Sequence, residues 1–255
     1  MRKAFTLIEL VTSLGILALL LGLLLPSLSG AREQAKATVC RSNIRQLAAA
    51  NGMYALDQGG VYVPGAADFL ANLDRWHGKR KTLQAPFDSR QGPLRDYLGE
   101  GNAIRACPTF TPPTTGFELG NGGYGYNNAY IGVATSGDDG TKPATVVTDD
   151  RRGAALQHIH RPAVTLMFAD SAFAEGTLIE YSFAEPRFHP QYQNRADPSI
   201  HFRHIKKANL AWCDGHVTDE PRTFTWSSGL YEGDPARLGL GWFGPTDDNS
   251  LFDLR

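Results

Sequence analysis

His201, His204, Asp214 and His216 fall in one short stretch near the C-terminus. Imidazoles beside a carboxylate suit a divalent metal or a hydrolytic centre. Spacing argues for something plainer. An extended run from His204 to Asp214 is roughly 33 Å long, so direct contact requires the chain to fold back near Lys206 and Lys207. In the simplest hairpin, turned at Asp214-Gly215, Asp214 and His216 flank the turn and point away from His204. Capping and turn hydrogen bonds are therefore the expected roles.

Other chemical signatures are weaker. Gly120-x-Gly122-x-x-Gly125 matches the letters of a dinucleotide fingerprint, but no apolar strand precedes it and no helix follows. It reads as a glycine-rich loop. No Gly-x-Ser-x-Gly, phosphate-loop or zincin motif is present. Paired aspartates at Asp138-Asp139, Asp149-Asp150 and Asp247-Asp248 are what solvated turns contain. Acidic and basic residues nearly balance, 26 against 25, so there is no basic footprint for nucleic acid and none is expected as a partner.

The elements that position these residues divide the chain in two. Arg2-Lys3 precedes an apolar run with no charge from Leu10 to Ala31, interrupted by Gly22 and Pro26. A helix-favouring stretch follows, in which Cys40, Ile44, Leu47, Ala48 and Tyr54 form one apolar stripe. The helix should end near Asp57-Gln58-Gly59-Gly60. A continuous helix from Phe5 to Leu56 would be about 78 Å long, of which about 30 Å would suffice to cross a bilayer. A kink or melted stretch is expected at Pro26. Beyond Gly60 the 27 glycines and 15 prolines of the chain concentrate, predicting a loop-rich head with short strands. The clearest strands are Thr165 to Asp170 and the hairpin from Ala208 to Asp219.

One carboxylate, Glu9, stands inside the apolar run, where a bare charge is costly. An ordinary secretory signal or a plain anchor leaves it unexplained. The stretch RKAFTLIELVTSLGILALLLGLLLPSL resembles the class III leader and first helix shared by type IV pilins and type II secretion pseudopilins. HIKKANLAWCDGHV, with His204, nine intervening residues and then Asp214-Gly215, is similar to the H-X9-DG element of a prepilin-associated C-terminal domain.

The resemblance implies cleavage between Ala4 and Phe5 by a prepilin peptidase and methylation of the new amine on Phe5. The family usually has glycine where Ala4 stands. It also implies that Glu9 neutralises the Phe5 amine of a neighbouring subunit during assembly. The expected fold is α+β: a long, partly transmembrane N-terminal helix packed on an antiparallel β-sheet head. Residues 1–4 would be the leader, 5–57 the assembly helix and 58–255 the head. The implied function is a non-enzymatic filament subunit of a type II secretion pseudopilus or type IV pilus. Its location would be the inner membrane, single-pass with a periplasmic head. Homologous subunits, the peptidase and an inner-membrane assembly platform would be its partners.

Two other readings stand beside it. One is a minor or tip subunit whose aromatic loops bind a surface polysaccharide or secreted substrate. The other is a membrane-anchored, metal-dependent hydrolase. Some family members hold calcium in an acidic C-terminal loop, for which Asp247, Asp248 and Asp253 are the candidates; otherwise no cofactor is expected. Cys40 on the buried stripe and Cys107 in a Cys-Pro turn would form a disulfide in an oxidising compartment, the alternative being two buried thiols. Cys213 is expected to be buried and free.

Overall fold

The computed structural model describes residues 6–99, 101, 103–113, 117–136, 146–190 and 194–255. Ala4 and Phe5 lie outside them. Helix α1 runs unbroken from Leu7 to Asp57. The melted stretch expected at Pro26 is absent, because loss of one hydrogen bond does not end a helix held on both sides. Thr6 caps its start, accepting from the Glu9 N–H. Gly59 and Gly60, both at positive φ, end it where only glycine turns without a Cβ clash.

Twelve short strands follow: β1 (Asp74–Arg75), β2 (Gly78–Lys79), β3 (Tyr124–Tyr126), β4 (Ala134–Ser136), β5 (Val146–Asp149), β6 (Leu166–Asp170), β7 (Phe173–Glu175), β8 (Thr177–Ile179), β9 (Ile200–His201), β10 (Lys207–Trp212), β11 (Val217–Pro221) and β12 (Leu240–Gly241). Strands β11, β10, β6 and β3 form the central antiparallel sheet in that order. The others pair off as β1–β2, β4–β5, β7–β8 and β9–β12.

The second half of α1 lies against β10 and β6. Cys40, Ile44, Leu47, Ala48 and Ala55 are buried there with Tyr124, Tyr126, Phe168, Ala208 and Leu210. Two amides on the same stripe fix its register. Asn43 Nδ2 donates to the Tyr124 hydroxyl at 3.1 Å, and Asn51 Nδ2 donates to the Tyr126 hydroxyl at 3.1 Å. Asn51 Oδ1 also accepts from the Val63 N–H at 3.0 Å, tying the chain that leaves the helix back onto it. A disulfide joins Cys40 to Cys107 across 67 residues of sequence. Closing a loop of that length restricts the unfolded chain by about 4 kcal/mol in the chain-entropy picture.

Two expectations are corrected. Among the described residues no helix is long and apolar enough to cross a membrane. The partly transmembrane helix of the expected α+β fold is therefore not found, and the single-pass inner-membrane location that depended on it is not supported. The head also is not one antiparallel sheet. Among the described residues the largest sheet has four strands, and the other eight strands pair in separate two-stranded ribbons, a pattern that suits a chain rich in glycine and proline.

Candidate functional site

The chemistry-bearing residues gather where α1 meets the end of β6. Asp170, the last residue of β6, has no solvent exposure. Its Oδ2 accepts the Asn209 N–H at 2.7 Å and Asn209 Nδ2 at 3.0 Å, both from β10. Its Oδ1 accepts from the Arg203 guanidinium at 3.0 Å, and His204 Nε2 lies 3.3 Å from Oδ2. Burial alone would raise this carboxyl, but the Arg203 charge, His204 and the Asn209 N–H outweigh it and hold the group below its ordinary value.

The Arg203 side chain is nearly as buried as its partner. It also donates to the Ser171 carbonyl at 3.0 Å, to the Gly123 carbonyl and to His201 Nδ1 at 3.1 Å, and its charge sits 4.7 Å from the Phe110 ring centre. An arginine always donates, so His201 Nδ1 accepts and its ring is neutral. Burial first, and then Arg203, lower the His201 pKa to about 3.

His204 Nε2 also lies 3.5 Å from Cys107 Sγ. Ligand atoms of Cys40, Cys107 and His204 all fall within 4.8 Å of one another, as around a metal ion. The two sulfurs are bonded to each other, however, so neither supplies the thiolate a metal takes. A Cys–His–Asp relay is also excluded by geometry. It needs one ring nitrogen for each partner, whereas Nε2 faces both and Nδ1 is buried without a partner among the described residues. The cluster therefore bolts together the helix, the 107 loop, β6 and β10.

The four residues that suggested a metal or hydrolytic centre do not converge. His201 and His204 flank Arg203. Asp214 and His216 pair at 2.6 Å on the exposed turn at the far end of β10. That turn spans Cys213, Asp214 and Gly215, with Gly215 alone at positive φ, so it is a three-residue loop rather than the two-residue one expected. The glycine-rich loop is also filled from within. Gly120 N–H donates to Glu180 Oε2 at 2.5 Å, and the Gly122 and Gly123 N–H groups bear on the same carboxylate. The cradle that a phosphate would need holds this side chain instead.

Each remaining candidate has a defined place. Asp247 is paired with Arg187 at 3.1 Å and Arg195 at 2.7 Å. Asp248 accepts from Thr246 and Ser250, and Asp253 accepts the Arg255 N–H at 3.3 Å. Two arginines on Asp247 oppose a cation there. Cys213 is unbonded to other cysteines, and burial raises its thiol pKa. Glu9 has a local partner: its Oε2 accepts from both the N–H and the hydroxyl of Thr6, at 2.9 and 2.7 Å. Thr6-x-x-Glu9 is a capping box, a signal present in the sequence.

Sequence reasoning missed Asp170, Arg203 and Asn209. It also missed a second buried polar cluster. Glu118 faces the Arg75 side chain at 3.3 Å and accepts from Ser182 Oγ, which lies 2.7 Å from His77 Nε2. Serine sits between histidine and carboxylate here, the wrong order for activation by a base, and all three are buried. Burial, then Arg75 and Arg80, push the His77 pKa well down. Burial raises Glu118 against the pull of Arg75 and Ser182.

Asp170→Asn should cost roughly 3–5 kcal/mol of unfolding free energy, because it strands a buried arginine. Chemical denaturation checks this, and a loss under 1 kcal/mol would refute the central role of the pair. His77 is depressed in the fold, so the unfolded chain takes up its proton first, below about pH 6.5. Its stabilising contribution is full above that pH and is lost as pH falls. Unfolding free energy should therefore drop more steeply from pH 7.5 to 5 in the wild type than in His77→Gln; equal slopes would contradict this. No family model, curated protein or solved structure matches the chain.

Proposed function

We propose that the chain is a structural subunit that assembles with copies of itself into a pilin- or pseudopilin-type filament through the first half of α1. The supporting observation is the state of that segment. Leu7, Ile8, Leu10, Val11, Leu14, Ile16, Leu17, Leu19, Leu20, Leu21, Leu25 and Leu28 are each about half exposed or more, with Leu7 reaching 80%. A soluble surface rarely carries so long an apolar run uncovered, and a bundle of identical helices covers it. The leader-like sequence adds processing: a prepilin peptidase cuts between Ala4 and Phe5 and methylates Phe5. The buried disulfide is what an oxidising compartment favours. Neither buried polar cluster is reachable by a substrate, which supports a structural rather than enzymatic role.

Glu9 then has two functions. One oxygen caps the helix through Thr6, and the other remains for a cation on the next subunit, the processed Phe5 amine. Glu9→Gln keeps a capping acceptor and removes only the charge. Like Glu9→Ala, it should leave cleavage intact and reduce filament yield at least tenfold, measured by sedimentation and electron microscopy. Wild-type yield from Glu9→Gln would remove the charge-pairing argument.

One observation favours a second reading, a ligand-binding subunit. A groove of about 350 Å³ is lined by Phe69, Asn128, Asp150, Phe183, Glu185 and His189. Phe69 is half exposed and stacks on buried Phe183 with ring centres 6.4 Å apart. An aromatic face with carboxylates and an amide is the chemistry that holds a sugar ring. Phe69→Ala should weaken retention on immobilised polysaccharide about tenfold without changing filament yield. No retention of the wild-type chain on a broad polysaccharide panel would dismiss the reading.

A further inference from the structure

The link from β9 to β10 carries a conformational anomaly. His204 and Lys207 exchange both backbone hydrogen bonds, at 2.9 and 3.0 Å, leaving Ile205 and Lys206 as the two turn residues. Their φ angles are +53° and +63°, the geometry in which Asn-Gly is the ordinary choice. A β-branched side chain in that region is a genuine outlier, with strain on the order of 1–3 kcal/mol. Ile205 is also 61% exposed. Neither the backbone nor the burial of the isolated chain accounts for isoleucine here.

What Ile205 faces supplies a reason. It forms one wall of an open groove of about 570 Å³, whose other wall is Leu25, Leu28, Arg32, Glu33 and Lys36 of α1. The interior is aliphatic, and the charged side chains lining it are Arg32, Glu33 and Lys36; Lys206 adjoins Ile205 in the turn. Lys36 is held by Glu33 at 2.9 Å, whereas neither Arg32 nor Lys206 has a hydrogen bond or ion pair among the described residues. An occupant that matches is an apolar helix with an unneutralised carboxylate. The chain carries one: between Leu7 and Gly22 its sole charged side chain is Glu9, one of whose oxygens is not used by Thr6.

We infer that this groove is the seat for the N-terminal apolar segment of a second copy of the chain, with Ile205 as the contact that selects it. A carboxylate accepts several donors at once, so Arg32 of the groove, with Lys206 beside Ile205, acts together with the Phe5 amine on Glu9. The inference rests on the self-assembly reading and adds to it a role for the head, through a strained hairpin tip.

Site-directed cross-linking in filaments of the full-length chain tests it. In a Cys213→Ser background, one tagged copy carries Ile205→Cys and the other carries a single cysteine at successive positions from Ile8 to Leu21. Oxidation should give cross-linked dimers that recur every three or four positions, the mark of one helix face in the groove. Filaments that form normally with no cross-link at any position overturn the groove while leaving self-assembly standing. Failure of the unsubstituted chain to assemble at all overturns both. A second variant guards against misfolding: Ile205→Asn with Lys206→Gly relieves the turn. It should raise the melting temperature yet raise the concentration needed for assembly at least tenfold, and an unchanged requirement overturns the inference.

Discussion

Asp170 is a carboxylate sealed from water at the end of a central strand, and the head is arranged around satisfying it. Its bonds recruit Asn209 from the neighbouring strand, Arg203 from the loop before it, and His204 against the disulfide that holds the helix. A pair buried this deeply contributes little net energy compared with an apolar replacement of the same shape. Its effect lies in the cost of any other arrangement. Shifting β10 by one residue would turn Asn209 away and leave the charge with one fewer donor. The ion pair therefore fixes register in a sheet whose strands are too short to fix it by themselves.

A similar logic runs through the rest of the head. Short strands and long connections leave many buried polar groups, and each must find a partner. Asn43 and Asn51 resolve this for the tyrosines of β3, Glu180 for the glycine loop, and Ser182 for His77 and Glu118. Trp76, fully buried, donates its Nε1–H to the Ser182 carbonyl at 2.7 Å. These bonds replace the regular ladder that a larger sheet would supply.

Legibility in the sequence followed the physics of range. The stripe Cys40, Ile44, Leu47 and Ala48 was readable because helical periodicity is local, and all four are buried. The helix stop at Gly59-Gly60 and the strands at Leu166–Asp170 and Lys207–Trp212 were readable for the same reason. The capping box at Thr6 and Glu9 is equally local. What periodicity could not convey was pairing across distance. Asp170 and Arg203 lie 33 positions apart, and nothing in either neighbourhood marks one as the other's counter-ion. The conspicuous histidines misled in the opposite direction. His201 and His204 are fixed in the interior by Arg203 and Asp170, while Asp214 and His216 simply close a surface turn.

The Cys40–Cys107 bond has a mechanical meaning as well. It is attached to α1 near the point where the exposed apolar half gives way to the half that grips the sheet. If neighbouring copies hold the first half, tension on the filament reaches the head along the helix axis and would peel the helix from the sheet a turn at a time. A covalent link at the near end of that contact stops the peeling before it starts. Load then passes into the 107 loop, and the hydrogen bonds of Asn43 and Asn51 beyond it remain in shadow.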